Sequence, residues 1–245
     1  MPRYKLIIEY DGTDYVGWQR QDNGVGIQQC VEMAINDFCG ETVTVFASGR
    51  TDAGVHALEQ VAHFDLAKET EPDVIRDALN HHLKPAPIAV LSAHAAPDDF
   101  HSRFSALERQ YVYRIVNRRA PPTVDRGRVW WVPTPLDAPA MHHAASVLIG
   151  RHDFTSFRAA MCQAKSPIKT LDDLEVLRDG DEIRVYARAR SFLHHMVRNI
   201  VGTLKLVGED KWSTDDVRRA LVAHDRSAAG PTAPAGGLYL SKVIY

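Results

Sequence analysis

The chain has 245 residues, 45% of them apolar, and a formal net charge of −2. That composition suits one large domain or two modest ones with a sizeable core. No run approaches the roughly 20 apolar residues of a membrane helix. The opening "MPRYKLIIEYDG" turns charged within a few residues, so a signal peptide is not expected. Cys30, Cys39 and Cys162 form no C-x-x-C pair, which argues against a disulfide framework or a cysteine zinc site and for a reducing, cytoplasmic setting.

In chain order, "YKLIIEY" predicts a strand closed by the turn "DGTD". "GIQQCVEMAINDFCG" predicts a helix with Ile27, Val31, Ala34, Ile35 and Phe38 on one face and Gly40 as its stop. "TVTVFA" and "QVAHFDL" are β-rich runs flanking the loop "SGRTDAGVHA". "TEPDVIRDALNHHL" predicts a helix with Thr70 at the N-cap and Pro72 in the first turn, and "IAVLSAHAA" a further strand. After "PDDFHSRFSA" the pattern restarts: the strand "YVYRIVN", the helix "DAPAMHHAASVLIG" ending at Gly150, and a hairpin turning at "DGDE". Then come the long helix "FLHHMVRNIVGTLKLVG", the helix "STDDVRRALVAH" capped by Ser213 or Thr214, and the closing strand "GGLYLSKVIY". Residues 119–139, with five prolines, predict an irregular connection, and "AAGPTAPAGG" another flexible stretch.

The order strand, helix, strands, helix, strand occurs twice with a break near residue 105. This predicts an α+β fold of two halves, 1–105 and 106–245, with no residue-level repeat between them.

The charge is unevenly spread. Arg103 to Arg128 holds seven arginines against Glu108 and Asp125, and Arg184 to Lys205 holds four arginines and a lysine with no acid. Each run is a candidate basic stripe for nucleic acid; the alternative is solvated strand and helix faces.

In "SGRTDAGVHA", Asp52 lies on a loop between two strands, with Gly49 and Gly54 permitting unusual backbone geometry and Arg50 and His56 close in sequence. A carboxylate with positive neighbours is a candidate nucleophile; an Arg–Asp pair knitting a tight turn is the equal alternative on this segment alone. "GVGIQQ" lacks the third glycine of a dinucleotide fingerprint, and the histidine pairs 81–82, 142–143 and 194–195 lack metal-ligand spacing, so no cofactor or metal is expected. In "RQYVYRI", Tyr111 and Tyr113 share one face of an alternating strand, where a ring can stack on an unpaired base; Tyr113 is the better candidate for the core. Arg198 lies on an otherwise apolar helix and needs a carboxylate, for which Asp52 is a good candidate.

"IIEYDGTDYVGWQRQ", "GRTDAGVHA", "DDFHSRFSALERQYVYRI", "DFTSFR", "FLHHMVRNIVG" and "GGLYL" together resemble, in order and over nearly the whole chain, the tRNA pseudouridine synthase A family. The resemblance implies a pseudouridine synthase fold of two similar α/β halves whose sheets join across a central catalytic cleft. It implies a homodimer without cofactor or metal that isomerises uridine at positions 38, 39 and 40 of the tRNA anticodon arm. By motif position, Asp52 matches the catalytic aspartate, Tyr111 the base-stacking tyrosine and Arg198 the arginine that pairs with the carboxylate. Arg50 matches an arginine that helps displace the target nucleotide, and Leu238 an apolar residue lining the pocket. Two other classes compete on residue chemistry. A non-catalytic RNA chaperone explains the arginines and Tyr111 but gives Asp52 no task. An aspartate-based glycoside hydrolase needs a second carboxylate, and none stands in these motifs.

Overall fold

The structure, a computed structural model, describes residues 1–245 and divides into two compact units, Met1–Leu107 with Tyr239–Tyr245, and Glu108–Leu238. No helix is long and apolar enough to cross a membrane.

In the first unit, strand β1 (Arg3–Tyr10) pairs antiparallel with both β3 (His56–Asp65) and β4 (Ile88–Ala96). The short β2 (Phe46–Ala47) lies antiparallel on β3, and β10 (Leu238–Ile244) joins β3 in parallel through Tyr239 and Leu240. The alternation of β1 buries Tyr4, Leu6, Ile8 and Tyr10 on one face. Helix α2 (Pro72–His82) packs along β4, and α1 (Ile27–Cys39) packs beside α2. Helix α1 buries Ile27, Val31, Ala34 and Ile35 and stops at Gly40, whose φ is 76°.

Two local expectations fail here for identifiable reasons. Thr70 does not cap α2: its N–H donates to the Tyr4 hydroxyl at 2.8 Å, and the helix begins one residue later with Glu71 as an uncapped N-cap and Pro72 in the first turn. "TVTVFA" is strand only at Phe46–Ala47. The backbone of Val45 is satisfied by side chains of α1 instead of a neighbouring strand, its N–H donating to Glu32 Oε1 (3.1 Å) and its carbonyl accepting from Gln28 Nε2 (3.2 Å).

The second unit carries a sheet in the order β5 (Glu108–Val116), β9 (Glu182–Ala189), β8 (Ile168–Asp179), β7 (Gly150–Asp153), with β6 (Trp130–Trp131) parallel on the edge of β5. Strands β8 and β9 form the expected hairpin, with Gly180 at φ 57°. Helix α3 (Ala138–Ala145) lies on β8 and against α4 (Met196–Gly208); α4 lies on β5; α5 (Thr214–Ala223) completes the helical layer. Ser213 and Asp216 form the capping box of α5. The second unit therefore does not repeat the element order of the first: its last two helices follow one another with no strand between.

Three further departures bear on the site. Helix α3 stops at Ala145 and passes through a 3₁₀ turn before Gly150, which opens β7 instead of closing the helix. Helix α4 starts only at Met196, because His195 takes a left-handed conformation (φ 63°), so Phe192 to His194 precede the helix. The "AAGPTAPAGG" segment is no loose linker. Its backbone crosses α4 so closely at Gly202 that a Cβ there would stand 1.7 Å from the Pro231 carbonyl oxygen. Gly230 N–H donates to Thr203 Oγ1 (2.9 Å), and Thr232 Oγ1 donates to Asn199 Oδ1 (2.6 Å).

Candidate active site

In the first unit, Asp52 is half-buried on the loop from β2 to β3, and Arg50 on the same loop is exposed. Residues 10–18 clasp that loop from one side. Gly17 pairs with Asp52 as an isolated antiparallel bridge, Trp18 N–H donates to Thr51 O (3.0 Å), and Gly54 N–H donates to Tyr15 O (3.3 Å). Asp52 O accepts from Val55 N–H (3.1 Å), closing the turn, and Gly54 takes a positive φ of 75°; Gly49 takes none.

From below, Gln60 of β3 reaches both ends of the loop's entry. Its Nε2 donates to Gly49 O (2.9 Å) and its Oε1 accepts from Ser48 Oγ (2.7 Å). The Tyr10 hydroxyl bonds Thr51 Oγ1 (2.8 Å), and burial pushes its pKa up to about 12 against the opposing pull of Thr51 and Gln60. It therefore stays a neutral hydroxyl under any physiological condition. These buried bonds immobilise the backbone on both sides of the carboxylate.

His56 serves the frame. It is 2% exposed, its Nδ1 lies 3.0 Å from Gly12 N and 3.1 Å from Asp11 Oδ1, and its ring stacks on Tyr239 with centroids 4.6 Å apart. Its ring joins the 10–18 segment to β3 and β10.

In the second unit, the two tyrosines of β5 separate as their surroundings dictate. Tyr113 is fully buried, its hydroxyl donates to Pro234 O (2.8 Å), and burial pushes its pKa far up. Tyr111 remains half-exposed, with Phe192 edge-on to it (centroids 5.0 Å apart, 85° between planes), a T-shaped contact that fixes the ring.

Arg198, in the first turn of α4, is tied to the segment that crosses the helix. Its Nε donates to Ala233 O (2.8 Å), and its own carbonyl accepts from Ala233 N–H (3.1 Å). Leu238, the last residue of the second unit, is 6% exposed, and it follows Gly237, which lies against the Tyr113 ring.

Several cations of the basic runs are paired with acids, most of them on the β8–β9 hairpin. Glu182 accepts from both Arg114 Nε (2.8 Å) and Arg184 Nε (2.9 Å), and these partners hold its carboxyl down at about 2. Arg118 pairs with Asp181, Arg188 with Asp173, and Lys205 with Glu209. Arg114, Arg118, Arg184, Arg188 and Lys205 are thus each engaged by a carboxylate.

Sequence reasoning did not find Tyr10, Thr51, Gln60 and Gly17 as the frame of the loop, nor Phe192 as the neighbour of Tyr111. The first set is spread over some 50 residues, and Phe192 falls inside an apolar run that reads as helix.

A sequence model of the tRNA pseudouridine synthase family matches residues 6–105 and 144–245. The chain belongs to that family. Pseudouridine synthases isomerise uridine, and the chain is by that membership an isomerase acting on tRNA. Full-length relatives agree. A tRNA pseudouridine synthase A of Rhodospirillum centenum is 63% identical over 100% of both chains. Those of Rhodospirillum rubrum and Paramagnetospirillum magneticum are 62% and 60% identical over 100% of this chain and 88% and 96% of theirs.

Proposed function

We propose that the enzyme converts uridine to pseudouridine at positions 38, 39 and 40 of the tRNA anticodon arm, as a cytoplasmic homodimer without cofactor or metal, with Asp52 as the nucleophile. The observation that carries the role of Asp52 is the clamped loop. A carboxylate that only had to knit a turn would not need Tyr10, Gln60, Trp18 and the Gly17 bridge to fix its backbone from two sides.

The reaction breaks the N1–C1′ bond, turns the uracil, and joins C5 to C1′; the C5 proton leaves and N1 gains one. No group is added, so no cofactor is called for. Whether the carboxylate meets C1′, C6 or a sugar proton first, it must be ionised and about 3 Å from its target. Arg198 is the residue we assign to orient Asp52. Tyr111 stacks on the uracil, Leu238 closes the pocket beside it, and Arg50 takes the space of the displaced nucleotide. Extruding the base costs a few kcal/mol, less at a stem–loop junction than within a stem.

The test compares the parent with Asp52→Ala on unmodified tRNA, mapping pseudouridine chemically and measuring tRNA binding separately. Binding without modification is the expected result for the variant. Modification by Asp52→Ala at the parent rate removes the nucleophile assignment. Pseudouridine outside positions 38–40 removes the positional one, and a monomeric mass in solution removes the dimer.

A further inference from the structure

Beside the aromatic pair of the second unit lies a cavity of about 370 Å³ lined by Ile168, Lys169, Thr170, Asp172, Arg190 and Ser191. Its origin is a β-bulge. Leu171 faces Ala189 and Asp173 faces Arg188, so Asp172 is an extra residue in β8 and the strand bends away from the end of β9. The opening is thereby flanked on one side by Lys169, Thr170 and Asp172 of β8 and on the other by Arg190 and Ser191.

Neither Lys169 nor Arg190 has a carboxylate within 4.0 Å, unlike Arg184, Arg188 and Lys205 of the same basic run. The Arg190 backbone is held in place, its carbonyl accepting from Nη1 of the buried Arg109 at 2.6 Å. Two residues further on, Phe192 supports Tyr111. The cavity is therefore rigidly connected to the ring on which the target base is proposed to stack.

We infer that this cavity binds a backbone phosphate of the tRNA substrate close to the target nucleotide. A lysine and an arginine lining one opening, with serine and threonine beside them, are residue types that a phosphodiester takes. Asp172 at the rim opposes the anion and limits the affinity of the subsite. The inference rests on the tRNA-modifying reading and adds to it a fixed point for the backbone.

The test measures equilibrium binding of unmodified tRNA to the Asp52→Ala protein across a range of salt, with Arg190→Gln, Lys169→Gln, Arg190→Lys or Asp172→Asn added. Each glutamine variant should weaken binding about tenfold at moderate salt and make the slope of log K against log salt shallower by about one. Arg190→Lys should recover most of the affinity, and Asp172→Asn should tighten binding. Anticodon stem–loop RNAs carrying one neutral methylphosphonate linkage then locate the contact. One linkage should cost affinity with Arg190 present and cost nothing in Arg190→Gln. Unchanged slopes in both glutamine variants, or linkage effects identical with and without Arg190, overturn the subsite. Thermal unfolding identifies a misfolded variant, in which case Lys169→Gln and Arg190→Lys carry the comparison. Retained modification by Asp52→Ala alone would strike at the catalytic reading and leave this binding result standing.

Discussion

Gly17→Ala is expected to damage both stability and catalysis through one clash. Gly17 sits at φ 107°, and a Cβ built there would stand 2.5 Å from Thr51 O and 3.0 Å from Asp52 C. An L-residue forced into such a conformation costs about 1–3 kcal/mol, and overpacking against a held backbone adds about 1–3 kcal/mol. A total near 3 kcal/mol lowers the thermal midpoint of a chain this size by about 6–12 °C. The obstructing atoms belong to Thr51, Asp52 and Ala53, so relief of the strain shifts the 10–18 segment against the loop that presents the carboxylate. A displacement near 1 Å should slow single-turnover pseudouridine formation about 100-fold.

The assay pairs thermal unfolding with single-turnover modification of tRNA at a temperature where every variant is folded. Gly180→Ala is the control. Gly180 also has a positive φ, of 57°, but nothing lies within 4 Å of its missing Cβ, so it should lose stability without losing rate. Gly17→Ala that is destabilised yet turns over at the parent rate would refute the claim that the 10–18 segment positions Asp52.

Tyr113→Phe removes a buried hydroxyl that donates to Pro234 O, and should cost about 1 kcal/mol in urea unfolding while modification persists; Tyr111→Ala should show the reverse, near-parent stability with modification lost. Glu182, held down at about 2 by Arg114 and then Arg184, contributes stability above its unfolded range near 4.5 that is lost as pH falls toward 2. Urea midpoints at pH 5 and 3 should therefore differ more for the parent than for Glu182→Gln. His63 is pushed down to about 4 by burial, then by His101 and Arg3, and its Nδ1 accepts from Ser102 N–H (3.2 Å). The unfolded chain binds its proton first, so stability should fall from pH 6.5 to 4 and the His63 ring should titrate near 4 by NMR.

The elements that were legible in the sequence are those whose stabilisation is local. The α5 capping box, the Gly40 stop of α1 and the Gly180 hairpin each depend on residues within a few positions of one another. The same holds for the division between Tyr111 and Tyr113. Alternation put both on one face, and the Pro234 contact shows why Tyr113 is the one in the core. What was not legible depends on distant partners. Thr70 looks like a cap until the Tyr4 hydroxyl, 66 residues away, takes its N–H. Residues 228–237 have the composition of a linker, yet they bond across α4 because Gly202 lets them approach. Phe192 and Leu193 continue the apolar period of α4 because Phe192 packs on Tyr111 and Leu193 is buried, while the left-handed His195 separates them from the helix.

The same dependence on distant partners resolves how a chain of net charge −2 can serve a polyanionic substrate. Counting along the sequence gives two surpluses of positive charge, but charge acts through space. Glu182 serves both Arg114, which Asp125 also pairs at 3.5 Å, and Arg184, and Asp173 and Asp181 take Arg188 and Arg118. Pairs of this kind exert little field beyond a few ångströms, and salt screens what remains. Attraction for phosphate is then left to cations with no carboxylate within 4.0 Å, and Arg190 and Lys169 are two such cations flanking one opening. A few fixed phosphate contacts of this kind would position a tRNA without reading its sequence. Exchanging Glu182 for glutamine should therefore release Arg184, leave Arg114 with Asp125 alone, and steepen the salt dependence of tRNA binding. A slope equal to the parent's would show that Arg184 does not face the RNA.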